Sequence, residues 1–168
     1  MNSNLLKYLG MFIILVLLQV LIFNNIQLSG MLNPYVYVLF ILLLPFDTPK
    51  YLLLILGFLL GLSIDIFSNT AGMHASASLF GVFVRPAVLN LLSPREEYQK
   101  GTSPRVYYYG FIWFLKYTLL VVFAHHFFLF FVEAFSFANF LQILSRGAIS
   151  AIVTSGLILM SQFVMYRK

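Results

Sequence analysis

The amino-acid sequence predicts an all-α integral membrane protein with about six transmembrane helices in a single domain. Of the 168 residues, 61% are hydrophobic and 9% are charged, whereas soluble domains contain about 45–50% apolar and about 25% charged residues. The apolar residues form runs close to the roughly 20 residues that a helix needs to cross a bilayer. A six-span topology also places most of the Lys and Arg residues on one side of the membrane.

Six apolar segments define the predicted spans. We interpret the first as a retained anchor, because residues 24–27 offer no small-residue cleavage site for a signal peptidase. The second lies between Pro34 and Pro45, and we expect it to be tilted, short or partly re-entrant. The connections are short apart from one hydrophilic stretch at 93–105. The predicted spans are about 5–23, 31–46, 51–68, 72–92, 106–132 and 139–165.

The basic residues predict the orientation of the chain. With the N-terminus inside, the outer connections carry no Lys or Arg, so both termini are predicted to be cytoplasmic. In the hydrophilic stretch, Arg95, Lys100 and Arg105 are candidates for contact with anionic lipid or a cytoplasmic partner, although a role in topology alone would explain them. The net charge of +5 does not indicate nucleic-acid binding, because the basic residues do not cluster. The predicted cytoplasmic cations are Lys7, Lys50, Arg95, Lys100, Arg105, Arg167 and Lys168.

Four ionisable residues are predicted to share one layer in the outer leaflet. At about 1.5 Å rise per residue, Asp65, His125, His126 and Arg146 lie at similar depths in their helices. We expect Asp65 to pair with Arg146, with one histidine nearby, since ionisable groups at this depth usually face the protein interior. A structural ion pair is favoured over an outward-facing binding pocket and over a proton relay.

Two further cations lie in the inner halves of predicted spans. The long side chains of Arg85 and Lys116 are expected to extend to the cytoplasmic headgroups rather than to form a specific site. Pro86, which follows Arg85, is expected to kink the fourth helix.

Small residues at intervals of four predict close packing of the third and fourth helices. Gly57, Gly61 and Asp65 form one such line, and the fourth helix repeats the spacing around Gly81. The two helices are therefore predicted to form a hairpin that turns before Gly72.

The sequence carries few residues that could support catalysis. There is no cysteine, no phosphate-binding loop, no HExxH zinc motif and no Gly-x-Ser-x-Gly elbow. Of five carboxylates, only Asp65 lies deep in a span, which disfavours paired-carboxylate acid–base chemistry. His74 and the pair His125–His126 are the only candidate metal ligands of note, and we expect no metal, no cofactor and no enzymatic activity.

The stretch 57–74 (GFLLGLSIDIFSNTAGMH) resembles the bacterial rod shape-determining protein family MreD. Gly57, Gly61, Asp65, Gly72 and His74 are the residues that carry the resemblance. It implies a non-enzymatic protein of the bacterial inner membrane that acts with MreC, the MreB filament, the RodA glycosyltransferase and a penicillin-binding transpeptidase in lateral cell-wall synthesis. It also implies a fold similar to the substrate-binding S-components of ECF vitamin transporters.

Three classes of function remain to be compared. The first is an MreD-like scaffold that supports MreC and the wall-synthesis complex. The second is a small-molecule binder, such as an S-component or a lipid-handling subunit. The third is an intramembrane enzyme, which the few acid and base residues disfavour.

Overall fold

The computed structural model describes residues 2–26, 33–94, 98–135 and 140–164. These residues form helices and connecting turns, with no β-strand among them. Two 3₁₀ turns, Phe23–Asn25 and Val36–Val38, accompany the α-helices. The α-helices are α1 (Asn2–Leu21), α2 (Leu39–Leu43), α3 (Lys50–Ser68), α4 (Met73–Leu91), α5 (Val106–Tyr109), α6 (Phe111–Ala134) and α7 (Phe140–Val164).

Four of the described helical stretches are long and apolar enough to cross a membrane. They are Leu6–Asn25, Lys50–Ser68, Phe111–Ala134 and Phe140–Val164. Helix α4 has the same length as α3, but its histidine, serines, arginine and asparagine lower its mean hydropathy, so it is not one of the four. The chain thus has the apolar helices of a multi-pass membrane protein. These helices account for four of the six spans that the sequence predicted.

The helices pack as neighbouring antiparallel hairpins. Helix α3 packs against α4, α6 against α7, and α4 against α6, while α1 packs against α3. At one end of the bundle, the hydroxyls of Tyr8 and Ser103 lie 2.8 Å apart, and at the other, Asn24 Nδ2 donates to Ser68 Oγ at 2.9 Å. The first end is called the basic end, because Lys7, Lys50, Lys100 and Arg105 lie there, and the second is called the far end. The start of α1 and the end of α7 both lie at the basic end.

The residues 35–44 form a central segment that is buried throughout. The backbone N–H of Tyr35 donates to Thr154 Oγ1 of α7 at 3.1 Å, towards the far end. The N–H of Phe46 donates to the Thr102 carbonyl at 3.2 Å, at the basic end. The central segment therefore runs through the bundle from one end to the other, and its side chains fill the middle of the core.

The prediction of a spanning helix over 31–46 is wrong in its extent. Only 36–43 are helical, as a 3₁₀ turn followed by α2, and residues 31 and 32 lie outside the described part of the chain. Pro34 and Pro45 each lack an N–H and disfavour helix in the residue before them. Side chains of the surrounding helices bond to backbone groups at both ends of this short helix, at Pro34 and Tyr35 before it and at Leu42 and Leu44 at its end.

The predicted fifth span is also interrupted. Gly110 separates α5 from α6 with φ 81° and ψ 165°, a conformation outside the helical region that glycine adopts without steric cost. The continuous helix predicted over 106–132 is therefore two helices, and the long one begins at Phe111 and ends at Ala134.

The α3–α4 hairpin is closely packed because glycines replace side chains at the contact. A Cβ placed on Gly57 would lie 2.6 Å from Val82 Cγ2, and one on Gly61 would overlap the backbone of His74. The turn between the helices uses two left-handed residues, Asn69 at φ 54° and Gly72 at φ 81°. Asparagine and glycine are the residues that adopt this region most readily at helix ends.

Candidate functional site: a polar network inside the bundle

Asp65 caps the N-terminus of α4 from the last turn of α3. Its carboxylate accepts the backbone N–H groups of His74 at 3.0 Å and Ala75 at 2.9 Å, and the Thr70 hydroxyl at 2.5 Å. The side chain is buried, so these bonds replace the water that a charged carboxylate would otherwise require. The positive end of the helix dipole stabilises a carboxylate in this position.

The predicted ion pair between Asp65 and Arg146 is wrong. Arg146 lies 3.9 Å from the Glu133 carboxylate, and its guanidinium carbon lies 5.1 Å from the centre of the Phe130 ring. Both partners belong to α6, the neighbour of α7 in its own hairpin, whereas Asp65 belongs to α3. Asp65 is instead held by the start of α4, the element that follows it directly in the chain.

Tyr37 joins two histidines in the centre of the bundle. Its hydroxyl lies 3.0 Å from His74 Nδ1 and 2.8 Å from His125 Nε2. The hydroxyl has one proton, so it donates to one imidazole and accepts an N–H from the other. Because His74 also donates its backbone N–H to Asp65, the network runs from the α3–α4 turn through the central segment to α6.

His126 belongs to a second set of hydrogen bonds that fixes the central segment to α7. Its Nδ1–H donates to the Val122 carbonyl at 2.9 Å, which leaves Nε2 to accept the Thr154 hydroxyl at 3.0 Å. Thr154 in turn accepts the N–H of Tyr35. Both His125 and His126 are fully buried, so two faces of α6, not one, point towards protein. This is because α6 packs against α4 on one side and α7 on the other.

Three uncharged polar residues add hydrogen bonds near the far end. Gln19 Nε2 donates to the Pro34 carbonyl at 3.1 Å and to Asn24 Oδ1 at 3.0 Å, and Asn24 donates to Ser68 as described above. These bonds tie α1 to the central segment and to the end of α3. Sequence reasoning did not identify these residues, although a glutamine inside an otherwise apolar span is itself a sign of a buried hydrogen bond.

Arg85 is buried and does not extend to the membrane surface as predicted. Its Nε–H donates to Tyr117 Oη at 2.9 Å, a terminal N–H donates to the Leu44 carbonyl, and Tyr117 donates to the Leu42 carbonyl at 3.1 Å. These carbonyls end the central helix, where the partial negative charge of the helix dipole favours a cation. Arg85 thus interacts with the C-terminal end of α2, and Asp65 with the N-terminal end of α4. Lys116, by contrast, is exposed on α6.

A pocket of about 480 Å³ opens beside this network at the far end. His74 and Tyr35 line it, together with the polar residues Asn24, Thr70 and Glu133. The pocket can therefore offer hydrogen-bond donors and acceptors together with aromatic surface to a small molecule. Its described lining residues also include Val20, Phe23, Asn25, Asn33, Phe67, Ser68, Met73 and Leu129.

Hydrogen bonds join the imidazoles of this network to Tyr37, Val122 and Thr154. In the part of the chain that the structure describes, no group of three or more His, Asp or Glu residues could hold a metal ion. The Tyr37 hydroxyl could pass a proton between the two imidazoles that it joins. His125 Nδ1, the next atom along that route, has no hydrogen-bond partner among the described residues.

The hydrophilic stretch folds against the basic end through aromatic contacts. Tyr98 stacks on Phe46 with ring centres 4.3 Å apart and donates its hydroxyl to the Leu89 carbonyl at 2.8 Å. Partial burial raises the pKa of Tyr98 to about 12, so it remains a neutral donor. Of the predicted contact residues, Lys100 is exposed, Arg105 is partly buried, and Arg95 lies outside the described residues.

The five residues that resemble MreD are all used in building the α3–α4 hairpin. Gly57 and Gly61 lie at the helix contact, Asp65 and His74 form the cap, and Gly72 supplies the left-handed turn. Of the predicted packing glycines, Gly81 lies instead against α6, where an added Cβ would be 3.6 Å from His125 Cβ. No protein-family model matches the chain, and no curated protein or solved structure matches it significantly.

Proposed function

We propose that this protein is an MreD-like, non-enzymatic membrane scaffold of the bacterial cell-wall elongation complex. In this role it supports an MreC-like protein and, through it, lateral peptidoglycan synthesis by the MreB filament, RodA and a penicillin-binding transpeptidase. The main support for the proposal is the structural role of the five residues that carry the resemblance to MreD. All five serve the packing, the turn or the cap of one hairpin, so they hold the shape of the bundle.

The proposal includes a topology in the inner membrane with six crossings. Helix α4 and the central segment supply the two crossings beyond the four long apolar helices. The basic end faces the cytoplasm, in agreement with the preference of Lys and Arg for cytoplasmic connections. The start of α1 and the end of α7 lie at that same end, so both termini are cytoplasmic.

A non-enzymatic role fits the way the buried polar groups are used. Asp65 caps a helix, Arg85 donates to the Leu44 carbonyl and to the Tyr117 hydroxyl, and His126 links α6 to α7. Groups bonded in this way hold the bundle together. Contact with partners is then left to the outer helix faces, such as the exposed Ile55 and Phe58 of α3, and to the loops of the basic end.

Co-purification from native membranes tests the scaffold. The tagged chain is expected to recover a protein with one membrane span and a large outer domain, as MreC has, together with wall-synthesis enzymes. Simultaneous reversal of charge at Arg95, Lys100 and Arg105 is expected to lower that recovery. Protein level and orientation are measured in the same membranes, because these cations also predict the topology, and unchanged recovery at unchanged level and orientation would count against the proposal. The matched control is Lys116→Glu, a charge reversal outside this loop. Recovery of no wall-synthesis protein by the unaltered chain would contradict the proposal.

The pocket at the far end favours a second candidate, the substrate-binding S-component of an ECF-type vitamin transporter. Its volume of about 480 Å³ lies in the range of small-molecule sites, about 300–1,000 Å³. Under this alternative, the purified chain releases a stoichiometric small molecule on denaturation and co-purifies with an ATPase module. Mass spectrometry of the released material and of the co-purified proteins separates the two candidates.

A further inference from the structure

A second cleft, of about 200 Å³, lies at the basic end. It is bounded by the start of α1, the residues that follow the central segment, and the loop that precedes α5. The hydrogen bond between Tyr8 and Ser103 joins two of its walls. Its described lining residues are Lys7, Tyr8, Pro45, Asp47, Gly101, Thr102, Ser103, Arg105 and Tyr108.

The cleft contains charges of both signs that are not paired with one another. Lys7, Arg105 and Asp47 all line it, yet among the described residues the one ion pair within 4.0 Å is that of Arg146 with Glu133. The Lys7 ammonium has a ring contact, lying 5.8 Å from the centre of the Tyr8 ring. Lys7 and Asp47 are exposed and Arg105 is partly buried, so all three can reach a ligand.

The cleft lies at the depth expected of the membrane–water interface. Tyr8 and Tyr108 line the cleft, and Tyr107 and Tyr109 flank Tyr108 in the same helical turn. Tyrosine is enriched at the headgroup level of membranes. Leu6 and Leu9, which flank its α1 wall, are exposed to 68% and 53%. Apolar surface for an acyl chain thus continues directly from the charged cleft along α1.

We propose that this cleft binds the phosphoethanolamine headgroup of an aminophospholipid. Lys7 and Arg105 bind the phosphate, since guanidinium and ammonium groups form short, charge-assisted hydrogen bonds to phosphate oxygens. The Asp47 carboxylate accepts the ammonium group at the other end of the headgroup. The hydroxyls of Thr102 and Tyr108 supply further hydrogen bonds, and the acyl chains lie against α1.

Asp47 is the residue that determines selectivity in this proposal. The carboxylate attracts the primary ammonium of phosphatidylethanolamine, which can donate hydrogen bonds to it. It repels phosphatidylglycerol, whose headgroup carries no cation, and it cannot receive a hydrogen bond from the quaternary ammonium of phosphatidylcholine. A cleft with only Lys7 and Arg105 would instead favour the anionic lipid.

Native mass spectrometry of the full chain, delipidated and then supplied with one lipid at a time, tests the proposal. The three lipids above are used with identical acyl chains, and phosphatidylethanolamine is expected to be retained most. Lys7→Gln and Arg105→Gln should each reduce its retention about threefold to tenfold, the range for one exposed or partly buried ionic contact. Asp47→Asn should remove the preference over the other two lipids, and Lys50→Gln, at the same end but outside the cleft, should change nothing.

Three results would overturn the proposal. The first is equal retention of all three lipids, or greater retention of phosphatidylglycerol, by the unaltered chain. The second is an equal loss in Lys7→Gln and Lys50→Gln, which would indicate general charge attraction. The third is binding of free phosphoethanolamine without retention of the lipid, which would assign the cleft to a soluble ligand. Thermal unfolding in detergent establishes that each variant is folded. If Arg105→Gln is not folded, Lys7→Gln alone tests the phosphate contact.

Discussion

Substitutions at Asp65 distinguish the helix cap seen in the structure from the ion pair with Arg146 that the sequence predicted. Asp65→Ala removes both oxygens that accept the N–H groups of His74 and Ala75 at 3.0 and 2.9 Å. The two residues that carry these donors are buried, so the substitution leaves their N–H groups without a protein acceptor. Asp65→Asn retains one oxygen but removes the charge.

The magnitude follows from the bonds lost. A buried donor left without a partner destabilises by about 1–3 kcal/mol, and an N-cap side chain contributes roughly 1 kcal/mol. We therefore expect Asp65→Ala to lower the free energy of unfolding by about 3 kcal/mol, or roughly 6–12 °C in Tm for a chain of this size. For Asp65→Asn we expect about 1–2 kcal/mol, because one acceptor remains.

The assay is thermal unfolding of the purified chain in a mild detergent, followed by helical circular dichroism. Lys116→Met is the control, since Lys116 is exposed and lies outside both the helix cap and the cleft at the basic end, and its Tm should stay within about 2 °C of wild type. Arg146→Ala is measured alone and combined with Asp65→Ala. The 3.9 Å contact of Arg146 with Glu133 is partly exposed and should contribute less than about 1 kcal/mol.

Two outcomes would refute the capping interpretation. One is an Asp65→Ala variant as stable as the wild type. The other is a coupling above roughly 1 kcal/mol between the two substitutions in the double-mutant cycle, because residues with no shared partner should behave additively.

Three further substitutions test other parts of the bundle by the same unfolding assay. Tyr37→Phe leaves two buried imidazole nitrogens without their shared partner and should destabilise by about 1–3 kcal/mol; a neutral result would show that the hydroxyl bridge is not formed. Arg85→Met should cost about 2–4 kcal/mol because it removes the hydrogen bonds to the Leu44 carbonyl and the Tyr117 hydroxyl, whereas Lys116→Met should change stability by less than about 0.5 kcal/mol. Gly61→Ala forces α3 away from α4 and should cost about 1–3 kcal/mol, whereas Gly10→Ala, with open space around it, should be neutral or slightly stabilising.

Two helices coincide with segments predicted from composition. Helices α3 and α4 begin and end within one residue of the segments predicted at 51–68 and 72–92, whereas both ends of the segment predicted at 139–165 lie outside the described residues. Long apolar runs bounded by polar turns leave few alternative starting points for a helix. The second segment was expected to be tilted, short or partly re-entrant, but its limitation to 36–43 was not predicted, because its backbone conformation depends on neighbouring helices. The break at Gly110 was not predicted, because it depends on one glycine torsion.

The partners of the buried charges were predicted less well, for a physical reason. Depth along a helix places Asp65 and Arg146 in the same layer, but it does not give the direction in which each side chain points. Pairing by opposite charge also neglects helix ends, whose unpaired N–H and C=O groups act as partial charges. Tyr37 and Tyr117, which complete the buried network, resemble ordinary aromatic residues in the sequence.

The burial of Arg85 has a consequence for the order in which the helices assemble during synthesis. A buried guanidinium is costly unless it is hydrogen-bonded, and one of its acceptors, the Leu44 carbonyl, is made 41 residues earlier. The other acceptor, the Tyr117 hydroxyl, belongs to α6 and is made 32 residues later. Arg85 therefore gains both partners only when α6 has been synthesised and packs against α4, so the nascent α3–α4 hairpin should become fully stable only at that stage.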